Sequence, residues 1–343
     1  MKGRFDAGGG KRDGGSDGEE AYQGDQGIGK HALTRRRFVK TTAAVGAAVA
    51  GIPPYNLSDI ADLVLKEDGE LLLYPAISEI EYKFTIKLPF SHIICVKPWG
   101  CNWNCRWCTM KIPPYESMRP VMMSIDQITG LLSELEADKS STLIAISGGE
   151  PLLQKEEVLE LVRSLKANNY VSMLFTNGSL IEDAFVSKAN EFGLNHINIS
   201  FYALDDEWHR WYTGYSNKDT INALKLITEK FSGLSVVDLI LQPQLDMTTL
   251  ENMCKFLHEI NPNFVITICP CHHKHIKYND EKRVKAEEIA MQYFWQIDRT
   301  LSLSKQHKMT RYLIVKDESG HIDLSKNTGW RRIKNGGEFI KVD

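Results

Sequence analysis

Residues 100–108 read Gly-Cys-Asn-Trp-Asn-Cys-Arg-Trp-Cys and place Cys101, Cys105 and Cys108 in the spacing C-x3-C-x2-C. Cysteine thiolates are the usual ligands of iron–sulfur clusters, and a four-iron cluster is normally held by four of them. Three thiolates from one short loop would leave one iron open to an outside ligand. The stretch therefore predicts a cluster site at which chemistry can take place.

The same spacing is compatible with two other structures. Positions i, i+4 and i+7 share one face of a helix, so the cysteines could form a buried stripe. The stretch contains several residues that favour turns over helix: Pro98, Gly100, Asn102 and Asn104. A structural zinc site would need four ligands, usually in paired C-x2-C arms, and no second arm follows in the sequence. The open cluster is the interpretation that fits best.

The cysteine spacing, with aromatic Trp107 before the last cysteine, resembles the signature of the radical S-adenosylmethionine (SAM) enzymes. In that family the open iron chelates the amino and carboxylate groups of SAM. An electron from the cluster then splits SAM into methionine and a 5′-deoxyadenosyl radical that abstracts hydrogen. The resemblance implies a [4Fe–4S] cluster and SAM as cofactors. It assigns Cys101, Cys105 and Cys108 as the metal ligands and catalytic residues, and Trp107 as the aromatic side chain beside the adenine.

The second motif is Ser147-Gly148-Gly149-Glu150-Pro151, at the end of a predicted strand. Adjacent glycines allow the backbone to approach a ligand closely, and proline stops the strand. A plain strand-to-helix turn would also use such a dipeptide. Downstream of the cysteine triad, the run resembles the Gly-Gly-Glu-Pro motif of radical SAM enzymes, which holds the amino group of SAM. A carboxylate suits an ammonium partner, and the resemblance assigns all four residues of the motif to cofactor binding.

Three later segments are similar to those of the glycyl-radical-enzyme activating enzymes, the pyruvate formate-lyase type. They are Phe175-Thr176-Asn177-Gly178, the run from His209 to Asn217 with the pattern His-x3-Thr-Gly-x-Ser-Asn, and Thr267 to His272. The likeness adds Thr176, Asn177 and His272 as candidate cofactor-binding residues, and Ser200 on the predicted fourth strand is a further candidate. It also implies a glycyl radical enzyme as substrate and a low-potential electron donor of the flavodoxin or ferredoxin type.

The sequence also departs from that group. The fourth strand reads Asn198-Ile199-Ser200-Phe201-Tyr202, where the group tends to carry an Asp and a Lys, and the fifth strand lacks the usual arginine at its end, residues 241–244. The substrate therefore stays open between a glycyl radical enzyme and a small molecule, peptide or polymer. A third hypothesis, a non-catalytic electron carrier or redox sensor, explains the cysteines but not the Gly-Gly-Glu run.

The order of elements predicts the fold. From about residue 84 the chain alternates short β-branched runs with amphipathic helical segments, which is typical of parallel βα units. The predicted strands are residues 93–97, 142–147, 171–176, 196–201, 236–242 and 264–269. Six units indicate an α/β fold, a partial (β/α)6 TIM-like barrel with its site at the C-terminal ends of the strands. The resemblance implies that this barrel is of the radical SAM type. The cysteines follow the first strand, at that end.

Composition divides the chain into five parts. Residues 1–33 should be disordered because few of them are apolar, residues 34–52 resemble an export signal, and residues 53–85 form a linker and N-terminal extension. Residues 86–304 hold the predicted radical SAM domain, and residues 305–343 a C-terminal extension. The net charge of −3 gives no reason to expect nucleic-acid binding. Seven cysteines without a regular framework do not indicate a disulfide scaffold.

The N-terminal segment carries a targeting pattern. Residues 34–40 read Thr-Arg-Arg-Arg-Phe-Val-Lys and precede an apolar run from Thr41 to Ile52, which resembles a twin-arginine signal. The run is too short and too alanine-rich for a membrane span. A basic amphipathic N-terminus without a targeting role is the alternative. Such a signal indicates export or membrane association, whereas radical SAM enzymes usually draw electrons in the cytoplasm, so localisation stays open.

A second group of possible metal ligands lies near the last predicted strand: Cys269, Cys271, His272, His273 and His275. Cys269 and Cys271 would point to the same side of a continuing strand, which favours an auxiliary metal or substrate site. Pro270 interrupts the pairing, however, and no C-x2-C spacing is present. We therefore favour a small core residue followed by a polar loop in which His272 alone faces the site.

Overall fold

The chain is described here from a computed structural model. The described residues are 69–82, 90, 92–111, 119–135, 139, 141–271, 280–298, 307–316, 322–326, 330–332 and 339–341. The predicted disordered segment, the export-like segment, His272 and the neighbouring histidines lie outside these residues. Their predicted roles therefore stay predictions.

Six parallel strands form the centre of the molecule. They are β3 (His92–Val96), β5 (Thr142–Ile146), β6 (Val171–Thr176), β7 (His196–Phe201), β8 (Leu234–Leu241) and β9 (Val265–Pro270), hydrogen-bonded in that order. The short strand β10 (Ile297–Asp298) pairs in parallel with β9. This open parallel sheet is the predicted partial barrel, and all six predicted strands are confirmed.

The sheet continues beyond β3 with three antiparallel strands. They are β2 (Ala76–Tyr82), β11 (His307–Lys316) and β12 (Ile322–Lys326), which complete a ten-stranded sheet. Separate two-stranded sheets join β1 (Glu70–Leu73) to β4 (Val121–Ser124) and β13 (Trp330–Arg332) to β14 (Phe339–Lys341). Chain on both sides of the predicted 86–304 domain therefore contributes strands to the same sheet as the barrel.

Helices connect the parallel strands. They are α1 (Ile125–Glu134), α2 (Lys155–Ala167), α3 (Asp183–Phe192), α4 (Asp206–Thr213), α5 (Lys218–Lys230), α6 (Met247–Ile260) and α7 (Asp280–Ala290), with 3-10 turns at Thr109–Lys111 and Pro151–Gln154. The predicted capping box of Ser124 and Gln127 starts α1. Asp205 caps α4 through the backbone N–H of Trp208. Among the described residues, none of these helices combines the length and apolar character needed to cross a membrane.

The two faces of the strands are buried against different partners. On β7, alternate residues Ile197, Ile199 and Phe201 belong to the main core between sheet and helices. The opposite face points into the barrel. There a smaller apolar cluster combines Leu143, Met173, Val236 and Val265 from four strands. This inner cluster closes the barrel near the N-terminal halves of the strands, so space for chemistry lies toward their C-terminal ends.

His196 begins β7 on the inner face, and its imidazole is mostly buried beside the ring of Phe90 (centroids 6.2 Å apart). Its Nδ1 atom has no hydrogen-bond partner among the described residues. Burial lowers the pKa of His196 to about 4 because the charged imidazolium is poorly solvated there. The folded state therefore binds the proton less readily than the unfolded chain does.

We expect His196 to make the protein less stable in mild acid. Its folded pKa is depressed, so its contribution to stability is complete above the unfolded pKa of about 6.5 and falls as the pH drops toward 4. The loss of melting temperature between pH 7 and pH 5 should be smaller in His196→Asn than in wild type. His258→Asn, at an exposed histidine on α6, is the matched control. An unchanged pH dependence in His196→Asn would contradict the assignment.

Candidate active site

The cysteine loop, residues 99–108, leaves β3 at the C-terminal edge of the sheet. Cys101, Cys105 and Cys108 are all free thiols and half-buried. Two backbone N–H groups hold the loop from outside: that of Asn104 donates to the carbonyl of Thr213 (3.0 Å), and that of Arg106 donates to the carbonyl of Tyr212 (2.9 Å). The last carbonyls of a helix have no partner within it, so the end of α4 is suited to receive these donors.

Trp103 anchors the middle of this loop. Its side chain is only 1% exposed and meets the ring of His209 edge-on, with the centroids 5.1 Å apart. Tyr202 and Tyr215 pack against the same indole at 5.8 and 6.3 Å. The tryptophan is thus a packing residue that fixes the loop against α4 and the turn after it.

The segment with the predicted His-x3-Thr-Gly pattern stabilises the turn at the end of α4. His209 Nδ1 lies 2.6 Å from the carbonyl oxygen of Tyr215, so it donates to that oxygen. The Thr213 hydroxyl donates to the carbonyl of His209 (2.8 Å), and Gly214 ends α4 with a φ of 85°, a conformation that glycine adopts without strain. The motif therefore shapes the end of α4 that receives the cysteine loop.

The Gly-Gly turn lies directly against the start of the cysteine loop. The N–H of Glu150 donates to the carbonyl of Gly100 (2.7 Å), and that of Gly149 donates to Pro98 (3.2 Å). A Cβ atom on Gly149 would overlap the carbonyl oxygen of Gly100, and one on Gly148 would lie 2.9 Å from that of Pro98. The two glycines are needed because two backbones meet here without side chains between them.

Glu150 ties this turn to the end of β6. It is 1% exposed, and its carboxylate accepts from the Thr176 hydroxyl (2.7 Å) and from the backbone N–H groups of Asn177 (2.8 Å) and Leu152 (3.1 Å). Burial raises the pKa of the Glu150 carboxyl to about 7, against the effect of these three donors. The carboxylate thus accepts hydrogen bonds from one side chain and two backbone N–H groups of the protein itself. Its predicted contact with the amino group of SAM stays a prediction. Pro151 begins the 3-10 turn that follows.

Asn177 connects β6 to the cysteine loop as well. Its Nδ2 donates to Oδ1 of Asn102 (2.9 Å), and Asn102 Nδ2 donates to the Ser179 hydroxyl (2.9 Å). Ser179 in turn donates to Asn177 Oδ1 (2.7 Å). Thr176 and Asn177, predicted to bind the cofactor, are therefore brought to the cysteines, where they contact Glu150 and Asn102.

The thiols fit an iron–sulfur cluster by their chemistry. Burial raises the pKa of the Cys101 thiol well above its usual value, and the neighbouring Cys105 thiolate raises it further. Burial also raises the pKa of Cys105, to about 12, and raises the pKa of Cys108 above its usual value. Bound iron supplies the positive charge that such buried thiols need in order to ionise. Within the described residues, no three His, Cys, Asp or Glu side chains are placed to hold a single metal ion. The ligands of a four-iron cluster bind different irons, so the three thiols need not converge on one metal atom.

An aromatic wall lines the inner side of the cysteine loop. Half-buried Trp107 packs edge-on against Tyr212 (5.2 Å), and Tyr212 lies 4.9 Å from Tyr202, measured between centroids. The Tyr212 hydroxyl is 3.4 Å from Cys271 Sγ. The two tyrosines were not among the residues selected from the sequence. Tyr202 could have been found, because it follows Asn198 and Ser200 in the alternation of β7.

The other residues predicted from the sequence differ in how deeply they are buried. Ser200 lies half-buried on the inner face of β7, and Cys269 lies half-buried at the end of β9. Cys271 is buried with Tyr212 and Ile240 in an inner cluster that also contacts Cys105 and Trp107. Cys269 and Cys271 therefore face the site, so the expectation that His272 alone of this group does so is wrong, because β9 continues through Pro270 and directs both cysteines inward. His272 itself lies outside the described residues. The predicted contacts of Trp107 and Ser200 with SAM stay predictions.

The chain is similar in sequence to known proteins over its barrel. Residues 99–257 match the radical SAM superfamily. A protein of Methanocaldococcus jannaschii, described provisionally as a glycyl-radical enzyme activating enzyme, is 28% identical over 271 residues, which cover 74% of this chain and 98% of that protein. The GTP 3′,8-cyclase of Campylobacter jejuni is 28% identical over 156 residues, 45% of either protein.

Two solved structures resemble the fold at a distance. One is Streptococcus suis SuiB bound to S-adenosylmethionine, with 15% identity and a TM-score of 0.45 over 56% of this chain and 42% of that chain. The other is a domain of pyruvate-formate lyase-activating enzyme from Bacteroides vulgatus, with 16% identity and a TM-score of 0.40 over 45% of this chain and 96% of that chain.

The fold is a partial α/β barrel, with three free cysteines on one loop at the C-terminal edge of its parallel strands. Residues 99–257 carry a radical SAM domain, and the M. jannaschii and C. jejuni proteins that this chain resembles are described as enzymes. The cofactors of this family are a [4Fe–4S] cluster and SAM. Cys101, Cys105 and Cys108 are the residues that would hold the cluster.

We expect Gly149→Ala to disturb the cysteine loop. The added methyl group would overlap the Gly100 carbonyl, and relief of the overlap would move the backbone beside Cys101, at a cost of about 1–3 kcal/mol. Iron bound after anaerobic reconstitution should fall well below the wild-type value. Gly130→Ala is the control, because nothing lies within 4 Å of its Cβ position on α1. That variant should bind iron normally and gain about 0.5–1 kcal/mol of stability. Equal iron content in both variants would refute the contact.

Proposed function

We propose that this chain is an activating enzyme, which uses radical SAM chemistry to remove a hydrogen atom from a protein or peptide, with a glycyl radical enzyme as the specific partner. The observation that carries the proposal is the similarity to the M. jannaschii protein, because it extends over 98% of that protein rather than over the cluster-binding part alone. The ordered motifs after the cysteines support the same group.

The residues of the site have separate tasks in this proposal. When bound, the cluster and SAM supply reductive cleavage and a hydrogen-abstracting radical. The Gly-Gly turn and the end of α4 fix the cysteine loop from its two sides, and the buried Trp103 keeps water from the middle of the loop. Trp107, Tyr202 and Tyr212 give the inner side of the site an apolar surface, which protects a reactive intermediate from solvent.

A low-potential electron donor of the flavodoxin or ferredoxin type completes the proposal. Arg106, between two of the cysteines, is exposed, and its guanidinium lies 4.5 Å from the centre of the exposed Trp211 ring. Lys111 lies on the next turn and directs its ammonium toward the carbonyl of Cys105 (3.4 Å). Positive side chains beside the cysteine loop suit an acidic donor protein.

A small-molecule substrate is the second candidate. The match to the C. jejuni GTP 3′,8-cyclase supports it, because that relative acts on a nucleotide. The match covers 45% of either protein, however, whereas the match to the M. jannaschii protein covers nearly all of that relative. A protein or peptide substrate is therefore the better supported candidate.

Reconstituted enzyme should convert SAM to 5′-deoxyadenosine under a strong reductant, and Cys105→Ala should abolish the product. Cys254→Ala, at a buried cysteine in the core of α6, is the matched control and should retain the reaction. Incubation with candidate glycyl radical enzymes should then give a glycine-centred EPR signal that depends on SAM. Cleavage of SAM without such a signal from any partner would refute the activating role and favour a small substrate.

A further inference from the structure

The inner face of the barrel contains a polar layer between two apolar ones. On β8, Val236 belongs to the lower apolar cluster and Ile240 to the upper cluster beside the cysteines, and Asp238 lies between them on the same face. On β9, Thr267 lies in the same way between Val265 and Cys269. Asp238 and Thr267 are register partners on adjacent strands.

Asn198 on β7 completes this layer. Its neighbours in sequence, Ile197 and Ile199, face the helices, so Asn198 faces the barrel interior. Its Nδ2 donates to Oδ1 of Asp238 at 3.0 Å. The two side chains are only 3% and 6% exposed. The Asn198 amide and the Asp238 carboxylate are therefore hydrogen-bonded to each other in the buried centre of the barrel.

The amide of Asn198 is incompletely satisfied. Its Oδ1 atom is buried and has no hydrogen-bond partner among the described residues. A buried acceptor without a donor costs about 1–3 kcal/mol. A pair that served stability alone would be expected to fill this acceptor. The orphaned oxygen beside a carboxylate marks a place where an incoming N–H donor would be stabilised.

The layer is reached from the cysteine side. Ser200 and Cys269 lie one inward-facing position further along their strands, and both are half-buried although they face the interior. Two side chains at this level therefore retain some contact with solvent. Asn198 and Asp238 lie immediately below, so a group that entered past the cysteine loop would meet them.

We propose that Asn198 and Asp238 form a subsite that binds an amino group of the substrate, as a primary ammonium. The carboxylate supplies the opposite charge, and Asn198 Oδ1 supplies a neutral acceptor beside it, which together match a group with several N–H donors. The inference deepens the proposed function, because it gives the chemical class of the group that the radical enzyme would hold inside the barrel.

The test uses a minimal probe on the reconstituted holoenzyme with SAM. Butylammonium chloride and 1-butanol have similar shapes, but only the first carries an ammonium. Ligand-observed NMR titration should show at least about tenfold tighter binding of butylammonium, the scale of one charge-assisted hydrogen bond. The preference should fall at least about fivefold in Asp238→Asn and also decrease in Asn198→Leu.

Asp183→Asn is the matched control, since it makes the same chemical change at a carboxylate that is 62% exposed on α3. It should bind both probes as wild type does. Iron content and circular dichroism establish that each variant is folded. If Asp238→Asn does not fold, the wild-type preference and Asn198→Leu decide the question.

Equal affinity of wild type for the two probes would overturn the proposal. So would a preference for butylammonium that both inner-face variants retain, because the cation would then bind elsewhere on the protein. Probe binding requires no turnover. A failure of the activating role would therefore leave the ammonium preference measurable, and a failure of the subsite would leave the 5′-deoxyadenosine assay unaffected.

Discussion

The backbone contact between the Gly-Gly turn and the start of the cysteine loop is the constraint on which the rest of the site depends. Gly149 and Gly100 meet so closely that no side chain fits between them. The N–H groups of the turn donate to carbonyls of the loop and so fix the distance between the ends of β3 and β5. Because Glu150 continues the same turn to β6, three neighbouring strands are coupled at the edge where the cysteines lie.

The site thus separates its tasks between neighbouring motifs. Residues that resemble cofactor contacts in the sequence also have structural tasks: Glu150 binds Thr176 and Asn177, and the His209 segment shapes the end of α4. Such residues hold the cysteine loop and its neighbouring strands in position. A substitution there would change iron binding and stability together, which distinguishes it from one in the polar layer below.

The sequence predicts the strands well because they depend on local patterns. The β-branched runs from Ile93 to Cys269 identify all six parallel strands, whereas the cluster predicted from the spacing of Cys101, Cys105 and Cys108 stays a prediction. The partners of the loop could not be predicted in this way. The backbone N–H of Arg106 donates to the carbonyl of Tyr212, and this contact depends on where α4 lies in the folded chain. Every residue has a backbone carbonyl, so the residue types do not predict which carbonyl accepts. The orphaned oxygen of Asn198 likewise emerges only from packing between strands.

The two attachments of the cysteine loop also bear on how the protein is made. One attachment, at Gly149 and Glu150, is synthesised soon after the cysteines, whereas the other, at Tyr212 and Thr213, leaves the ribosome much later. Domains fold as units while synthesis proceeds. For that interval one side of the cysteine loop lacks its backbone partners. The loop acquires its full set of backbone contacts only once α4 is in place.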